Sequence, residues 1–329
     1  MLTHLGGRAL FRSAPHFHAK VVVIDPDTRP AGILLTANLT TEALERNEEL
    51  AVTLNTAEVA EVTGYLKWAM WESAEHELID PKDRFKTTRR LGKVVHPEAG
   101  VAVAATTAHT NTVRAEALRL IEGARSRILV SSFGWDADHE VVRRLCARAR
   151  DGLDVTVLAR VRPSSMQALL ALAQAGATVL GFRWLHAKAI WIDSGHALVM
   201  SANLQRDGLD QGFELGIRLS DGRAQEVFER LVGWSGAAAW RLDAKPRLGA
   251  LNGAVKLWQQ EQLVDAEVTY LGYLHDAFSC ANRVANRVLI GSLAAASCSA
   301  RRASTSFTPS ISNMMRPGFT RAAQNSGVP

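Results

Sequence analysis

The sequence predicts an α/β protein of two lobes, with mixed sheets packed between helices and with the first lobe incomplete. Three observations lead there. A set of His, Lys, Asp, Asn and Glu residues occurs twice at nearly matched spacing. Each copy is embedded in short, β-branched runs that read as strands. Ahead of the second copy helices and strands alternate, as in parallel βαβ units, whereas only 17 residues precede the first histidine of the pattern.

Taken in order, the first lobe is expected over residues 1–80. Gly7-Arg8-Ala9-Leu10-Phe11-Arg12 matches a strand at 177–183, and residues 1–5 match only the end of the helix before that strand. The opening βαβ elements have no counterpart, so the lobe reads as truncated at its N-terminus. It is expected to be completed either by upstream sequence or by another chain. Strands are expected at 20–24, 33–36 and 50–54. Val59, Val62, Leu66, Ala69 and Met70 recur at helical period and predict a helix over 56–79. Trp68 and Trp71 on it are expected to pack rather than to stack bases. Residues 82–93 hold six basic residues and one acid, within an inter-lobe linker placed at 81–100.

The second lobe is expected over 101–243. Its pattern reads helix 111–124, strand 128–133, helix 137–151, strand 155–159, helix 164–175 and strand 178–182. Strands at 188–192, 197–201 and 215–219 and a closing helix at 223–239 follow. Two turns follow parallel strands, where ligands of such sheets bind. One carries Ser131-Ser132-Phe133-Gly134-Trp135, with Trp135 a candidate groove residue. The other is Arg160-Val161-Arg162-Pro163, a candidate phosphate contact. From 244 the pattern weakens into a C-terminal extension, rich in Ser, Ala and Arg and expected to be disordered from about residue 291.

The formal net charge of +5 invites a nucleic-acid reading, but its distribution tempers that reading. Six Arg and no acid lie beyond residue 282, leaving 32 basic against 33 acidic residues before it. Three cysteines, Cys146, Cys280 and Cys298, imply no disulfide framework and show no metal-type spacing. No signal-peptide core or membrane-length apolar run is present, so a soluble cytoplasmic protein without stable membrane insertion is expected.

The repeated pattern carries the chemistry. Phe17-His18-Ala19-Lys20 is followed by Asp25, Thr36-Ala37-Asn38 and Glu49. Leu185-His186-Ala187-Lys188 is followed by Asp193, Ser201-Ala202-Asn203 and Glu214. In both copies Asp follows His by seven and Glu follows Asn by eleven. The first copy has three extra residues, which fall in the turn-forming Pro26-Asp27-Thr28-Arg29-Pro30. On a strand, His and Lys two apart share a face. Asp25 and Asp193 have odd spacing and read as structural turn residues. Imidazole serves as nucleophile or as acid and base near neutral pH. Ammonium and amide groups stabilise phosphoryl oxygens. A carboxylate on the far ring N–H holds the tautomer. Two satisfied core histidines are the plainer reading, but matched duplication weighs against it.

This pattern resembles the duplicated His-x-Lys-x4-Asp signature of the phospholipase D superfamily, with its downstream Ser-x-Asn and Glu. The second copy departs from it only in Met200, where Gly is usual before Ser201; the first has Thr36 for Ser and the longer hairpin. The resemblance implies a phospholipase D-like two-lobed fold with both motifs meeting at the lobe interface. It also implies a phosphohistidine intermediate and neither metal nor cofactor. His18, Lys20, Asn38, Glu49, His186, Lys188, Asn203 and Glu214 carry over as catalytic residues, with Thr36 and Ser201 as secondary phosphate contacts. The substrate implied is a phosphodiester, either a phospholipid headgroup or a nucleic acid. A non-catalytic, phosphate-binding remnant is the third reading, and a homo-oligomer or a partner chain completing the first lobe is a further expectation.

Overall fold

The computed structural model describes residues 9–78, 86–88, 90–245 and 289–290. The expected helix end at 1–5, residues 79–85 and 89 around the linker, most of the C-terminal extension and the expected disorder from 291 lie outside the described residues.

The first lobe runs β1 (Phe11–Ser13), β2 (Val21–Ile24), β3 (Ala31–Leu35), α1 (Thr41–Glu45), β4 (Ala51–Leu54), α2 (Thr56–Trp68), β5 (His76–Leu78) and β6 (Lys86–Thr87). β2, β3 and β4 form an antiparallel meander, and β1, β5 and β6 form a separate three-stranded sheet. Helix α2 starts on a capping box: Asn55 accepts from Glu58 N–H, and the Glu58 carboxylate accepts from Asn55 N–H. It is shorter than its apolar period suggests. After Trp68 the chain makes one π-helical turn, Ala69–Ser73, and then leaves to form β5.

The second lobe runs β7 (Val103–Thr107), β8 (Thr110–Asn111), α3 (Thr112–Gly123), β9 (Arg127–Ser132), α4 (Glu140–Arg150), β10 (Asp154–Arg160), α5 (Met166–Gln174), β11 (Thr178–Phe182), β12 (Ala189–Ile192), β13 (His196–Met200), β14 (Glu214–Leu219), α6 (Gly222–Ser235) and β15 (Trp240–Leu242). Its nine-stranded sheet has the order β15-β11-β10-β9-β12-β13-β14-β7-β8. β9, β10 and β11 are parallel, as the alternating pattern predicts, and the remaining pairs are antiparallel. A two-residue strand, β16 (Leu289–Ile290), pairs parallel with β4.

The large sheet is covered on both sides. Residues of α3, α4 and α5 pack with Ile128, Val130, Ile190, Ile192, Leu198 and Met200 on one face. The other face joins the lobes: Val59, Val62 and Tyr65 of α2 share a core with Leu129, Trp191, Leu215, Ile217 and Val227. Apolar burial is thus continuous across the lobe interface, and it fixes the first-lobe meander against the second lobe. Among the described residues no helix is long and apolar enough to cross a membrane.

Candidate active site

Each motif histidine is seated by the opposite lobe. The backbone N–H groups of His18 and Ala19 both donate to the Phe213 carbonyl, at 3.0 and 2.8 Å. Those of His186 and Ala187 both donate to the Glu48 carbonyl, at 3.0 and 2.9 Å. Phe213 and Glu48 immediately precede Glu214 and Glu49, so each crossing delivers a carboxylate to the other copy's ring. His18 Nδ1 lies 2.7 Å from Glu214 Oε1, and His186 Nδ1 lies 2.7 Å from Glu49 Oε1. The two motifs meet at a pseudo-two-fold seam. A carboxylate on Nδ1–H leaves Nε2 as the ring nitrogen without a proton in a neutral imidazole.

The hydroxyls expected to touch phosphate do something else. Thr36 Oγ1 donates to Glu49 Oε2 at 2.6 Å and accepts the Leu50 N–H at 2.9 Å. Ser201 Oγ donates to Glu214 Oε2 and accepts the Leu215 N–H. Both residues are fully buried. They aim the carboxylates and are closed to substrate, because their lone pairs and proton are already spent on the adjoining strand.

The two lysines sit under the rings. Lys20 Nζ donates to the His18 carbonyl at 2.6 Å, and Lys188 Nζ donates to the His186 carbonyl at 2.7 Å. Lys188 Nζ also lies 3.0 and 3.2 Å from the two ring nitrogens of His186. Burial pulls Lys188 down to about 7 and Lys20 down to about 8, although Glu49 and Glu214 oppose the shift. Burial likewise lowers His186 to about 4; the Glu49 hydrogen bond resists, and the charge of Lys188 adds to the fall. Burial works against the Glu49 carboxylate too, but the His186 hydrogen bond and Lys188 hold it below its ordinary value.

The seam is not symmetric in access. The His18 side chain is 42% exposed and that of His186 only 9%. A cleft of about 380 Å³ opens at His18, lined by His16, Phe17, Asn203, Gln205 and Glu214 among others. Asn203 Oδ1 is buried, with no hydrogen-bond partner among the described residues. Its loop is packed backbone to backbone: a Cβ on Gly208 would come within 2.6 Å of the Asn203 carbonyl oxygen. Asn38, the equivalent residue of the first copy, is exposed. The two asparagines therefore stand in different surroundings despite matched spacing.

Asp193 accepts the N–H groups of Arg125 and Ser126, at 3.0 and 2.9 Å, and the Ser126 hydroxyl at 2.8 Å. It clamps the loop that enters β9. Asp25 sits at φ +44° in the hairpin turn, its carbonyl accepting the N–H groups of Thr28 and Arg29. Trp135 does not face the rings. It is 3% exposed in the core beside α4, its indole N–H donating to the Ser132 carbonyl at 2.9 Å. The aromatic that touches the site from this loop is Phe133, edge-on to His186 at 4.8 Å. Phe17, stacked on Phe213 at 4.7 Å, is the other aromatic at the rings. Neither stands out in the sequence. Phe133 lies two residues before the more conspicuous Trp135, and the partner of Phe17 is nearly two hundred residues away.

Residues 117–233 match the family model described as cardiolipin synthase, PLD-like domain. The second lobe therefore carries a phospholipase D-like domain. The matched segment covers only the second copy of the motif. No curated protein matches the chain in sequence. Among solved structures, it is similar to the phospholipase D family member Nuc from Salmonella typhimurium, at 18% identity and a TM-score of 0.39, over 43% of this chain and 97% of that one. It is also similar to phosphatidylserine synthase from Haemophilus influenzae Rd KW20, at 11% identity and a TM-score of 0.49, over 77% of this chain and 70% of that one. Polyphosphate kinase from Porphyromonas gingivalis aligns at 18% identity and a TM-score of 0.48, over 76% of this chain and 40% of that one.

Proposed function

We propose that the protein is a phosphodiesterase that cleaves or transfers a phosphodiester through a phosphohistidine, without a metal ion. The observation that carries this reading is the reciprocal bracing of His18 by Glu214 and His186 by Glu49 across one seam. His18 Nε2, at the mouth of the cleft, attacks phosphorus. The bond from phosphorus to the leaving oxygen breaks, and His186 gives that oxygen a proton. His186 then takes a proton from water or an alcohol, whose oxygen displaces the imidazole and breaks the P–N bond. Lys20 and, from beneath the His186 ring, the buried Lys188 offset the charge on the non-bridging oxygens, and the Asn203 and Asn38 amides donate hydrogen bonds to them. A free site with His186 lowered to about 4 holds that ring neutral at pH 7. The arriving phosphodiester anion raises it, because an opposite charge favours the imidazolium, so substrate binding itself loads the acid.

Phospholipid is the first substrate reading, with headgroup release or phosphatidyl transfer; the family model's description supports it. Nucleic acid is the second. The ring of Phe17, 42% exposed beside His18, favours it as a stacking platform for a base. A first lobe completed by a partner or by a second copy remains part of the proposal. The test is turnover of a chromogenic phosphodiester, labelled phosphatidylcholine and single-stranded DNA, each with chelator present. His18→Ala and His186→Ala should each lower kcat by about 1,000-fold or more. Retained turnover in both variants, or strict dependence on added metal, contradicts the mechanism. Absence of product from every substrate supports the phosphate-binding remnant instead.

A further inference from the structure

The chemistry differs at the two ends of the seam. Beside His18 stand two stacked phenyl rings. Beside His186 stands a cationic cluster. Phe133 meets the His186 ring edge-on, and the guanidinium of Arg162 lies over the Phe133 ring, 4.1 Å from its centre. Arg160 lies 5.3 Å from the same ring and 5.2 Å from that of Trp184. In the parallel pair β9–β10, Ala159 is in register with Ser132, so Phe133 and Arg160 leave adjacent strands at their C-terminal ends. Ligands of parallel sheets collect there.

The two arginines are not equivalent. Arg160 is buried and sits near Glu42, at 3.9 Å, within the field of Glu48 and Glu49. Arg162 is half-buried, and no carboxylate lies within ion-pair distance of it among the described residues. Gly134, next to Phe133, packs behind the cleft wall: a Cβ there would meet the side chains of Gln205 and Asn203, both of which line the cleft. The described first lobe holds no strands equivalent to β9 and β10, so this feature exists on one side only.

We infer that Arg162, presented on the face of Phe133, forms a second phosphate subsite beside His186, so that the preferred substrate carries a further phosphate on that side of the scissile diester. This inference rests on the phosphodiesterase reading and narrows it to a bisphosphate class. A guanidinium held flat on an aromatic ring keeps its N–H fork free for bidentate contact with phosphate oxygens. Arg160 is a positioning residue, which keeps the strand end and Trp184 in place.

The test is binding of inert probes to the full chain by calorimetry, in two pairs. Thymidine 3′,5′-bisphosphate is compared with thymidine 5′-monophosphate, and glycerol 1,3-bisphosphate with glycerol 3-phosphate. Each bisphosphate should bind about tenfold or more tightly than its monophosphate, as a charged contact allows. Arg162→Ala should abolish that preference while leaving monophosphate binding within about twofold, and Arg162→Lys should restore part of it. The pair with the larger preference identifies the source, nucleic acid or glycerol-bridged lipid. Equal binding of bisphosphate and monophosphate overturns the inference, as does a preference that survives Arg162→Ala or a loss shared by both probes. Because no turnover is read, a chain inactive on every diester sinks the catalytic reading and still leaves this result decisive.

Discussion

The two lobes carry one motif on unequal frames. In the second, β12 lies between β9 and β13, and Ile190 and Ile192 are buried under α3. In the first, β2 has β3 on one side and no strand on the other among the described residues, and Val22 and Ile24 are 39% and 56% exposed. The correspondence extends further. β1 pairs with β5 as β11 pairs with β15, and β2-β3-β4 repeats β12-β13-β14. The first lobe's two sheets therefore match the flanks of the nine-stranded sheet without the two strands between. Asp25 likewise occupies the place of Asp193, exposed at its turn, where Asp193 binds the loop into β9. Yet the site is hardly less built on the side with fewer described strands. The acceptor for the His18 backbone and the carboxylate for its ring both come from the second lobe, through Phe213 and Glu214. Crossing the braces lets the second lobe hold up the first lobe's histidine.

The largest expected effect tests that crossing. Glu214→Gln should cut turnover about 1,000-fold by releasing His18, a first-copy group, and Glu49→Gln should do the same to His186. If each substitution instead disturbs the NMR signals of the histidine in its own copy, the crossing is wrong. Packing separates the lobes next. Ile190→Ala should cost about 2–4 kcal/mol in urea unfolding, whereas Ile24→Ala should stay within about 0.5 kcal/mol. A similar cost for both would mean that the first-lobe sheet face is covered in solution. Removing the clamps should give a smaller contrast. Asp193→Ala should lose about 1 kcal/mol with its three hydrogen bonds, and Asp25→Ala close to nothing.

The smallest effect is electrostatic. Lys188 and Lys20, lowered to about 7 and about 8, lose their charge as pH rises through those values. Affinity for sulfate, whose charge is constant over this range, should therefore fall several-fold between about pH 6 and about pH 9. Constant affinity over that range would show that the ammonium groups do not meet the anion.

Much of this was legible in the chain because it is written in one dimension. The spacing from His18 to Asp25 and from Asn38 to Glu49 repeats at His186 and Asn203, and β-branched runs mark β2 and β12. What crosses between copies was not. No spacing says that Glu214 belongs to His18, since the bond spans 196 residues. Thr36 and Ser201 read as phosphate contacts because hydroxyls beside an asparagine look available; their burial against Glu49 and Glu214 is a tertiary fact. Trp135 reads as a groove residue because it follows a parallel strand, but its large ring is buried in the core. The three-residue strands β5 and β15 are too short to show a period, and the small residues of β7 do not announce a strand.

The shared seam is tested most directly by a crystal structure of the protein grown with tungstate, an oxyanion of phosphate geometry. A single ion is expected, with the Nε2 atoms of His18 and His186 both within hydrogen-bonding distance of its oxygens. Two ions in separate clefts, each touching one ring, or an ion that reaches neither imidazole, would contradict a common phosphoryl site.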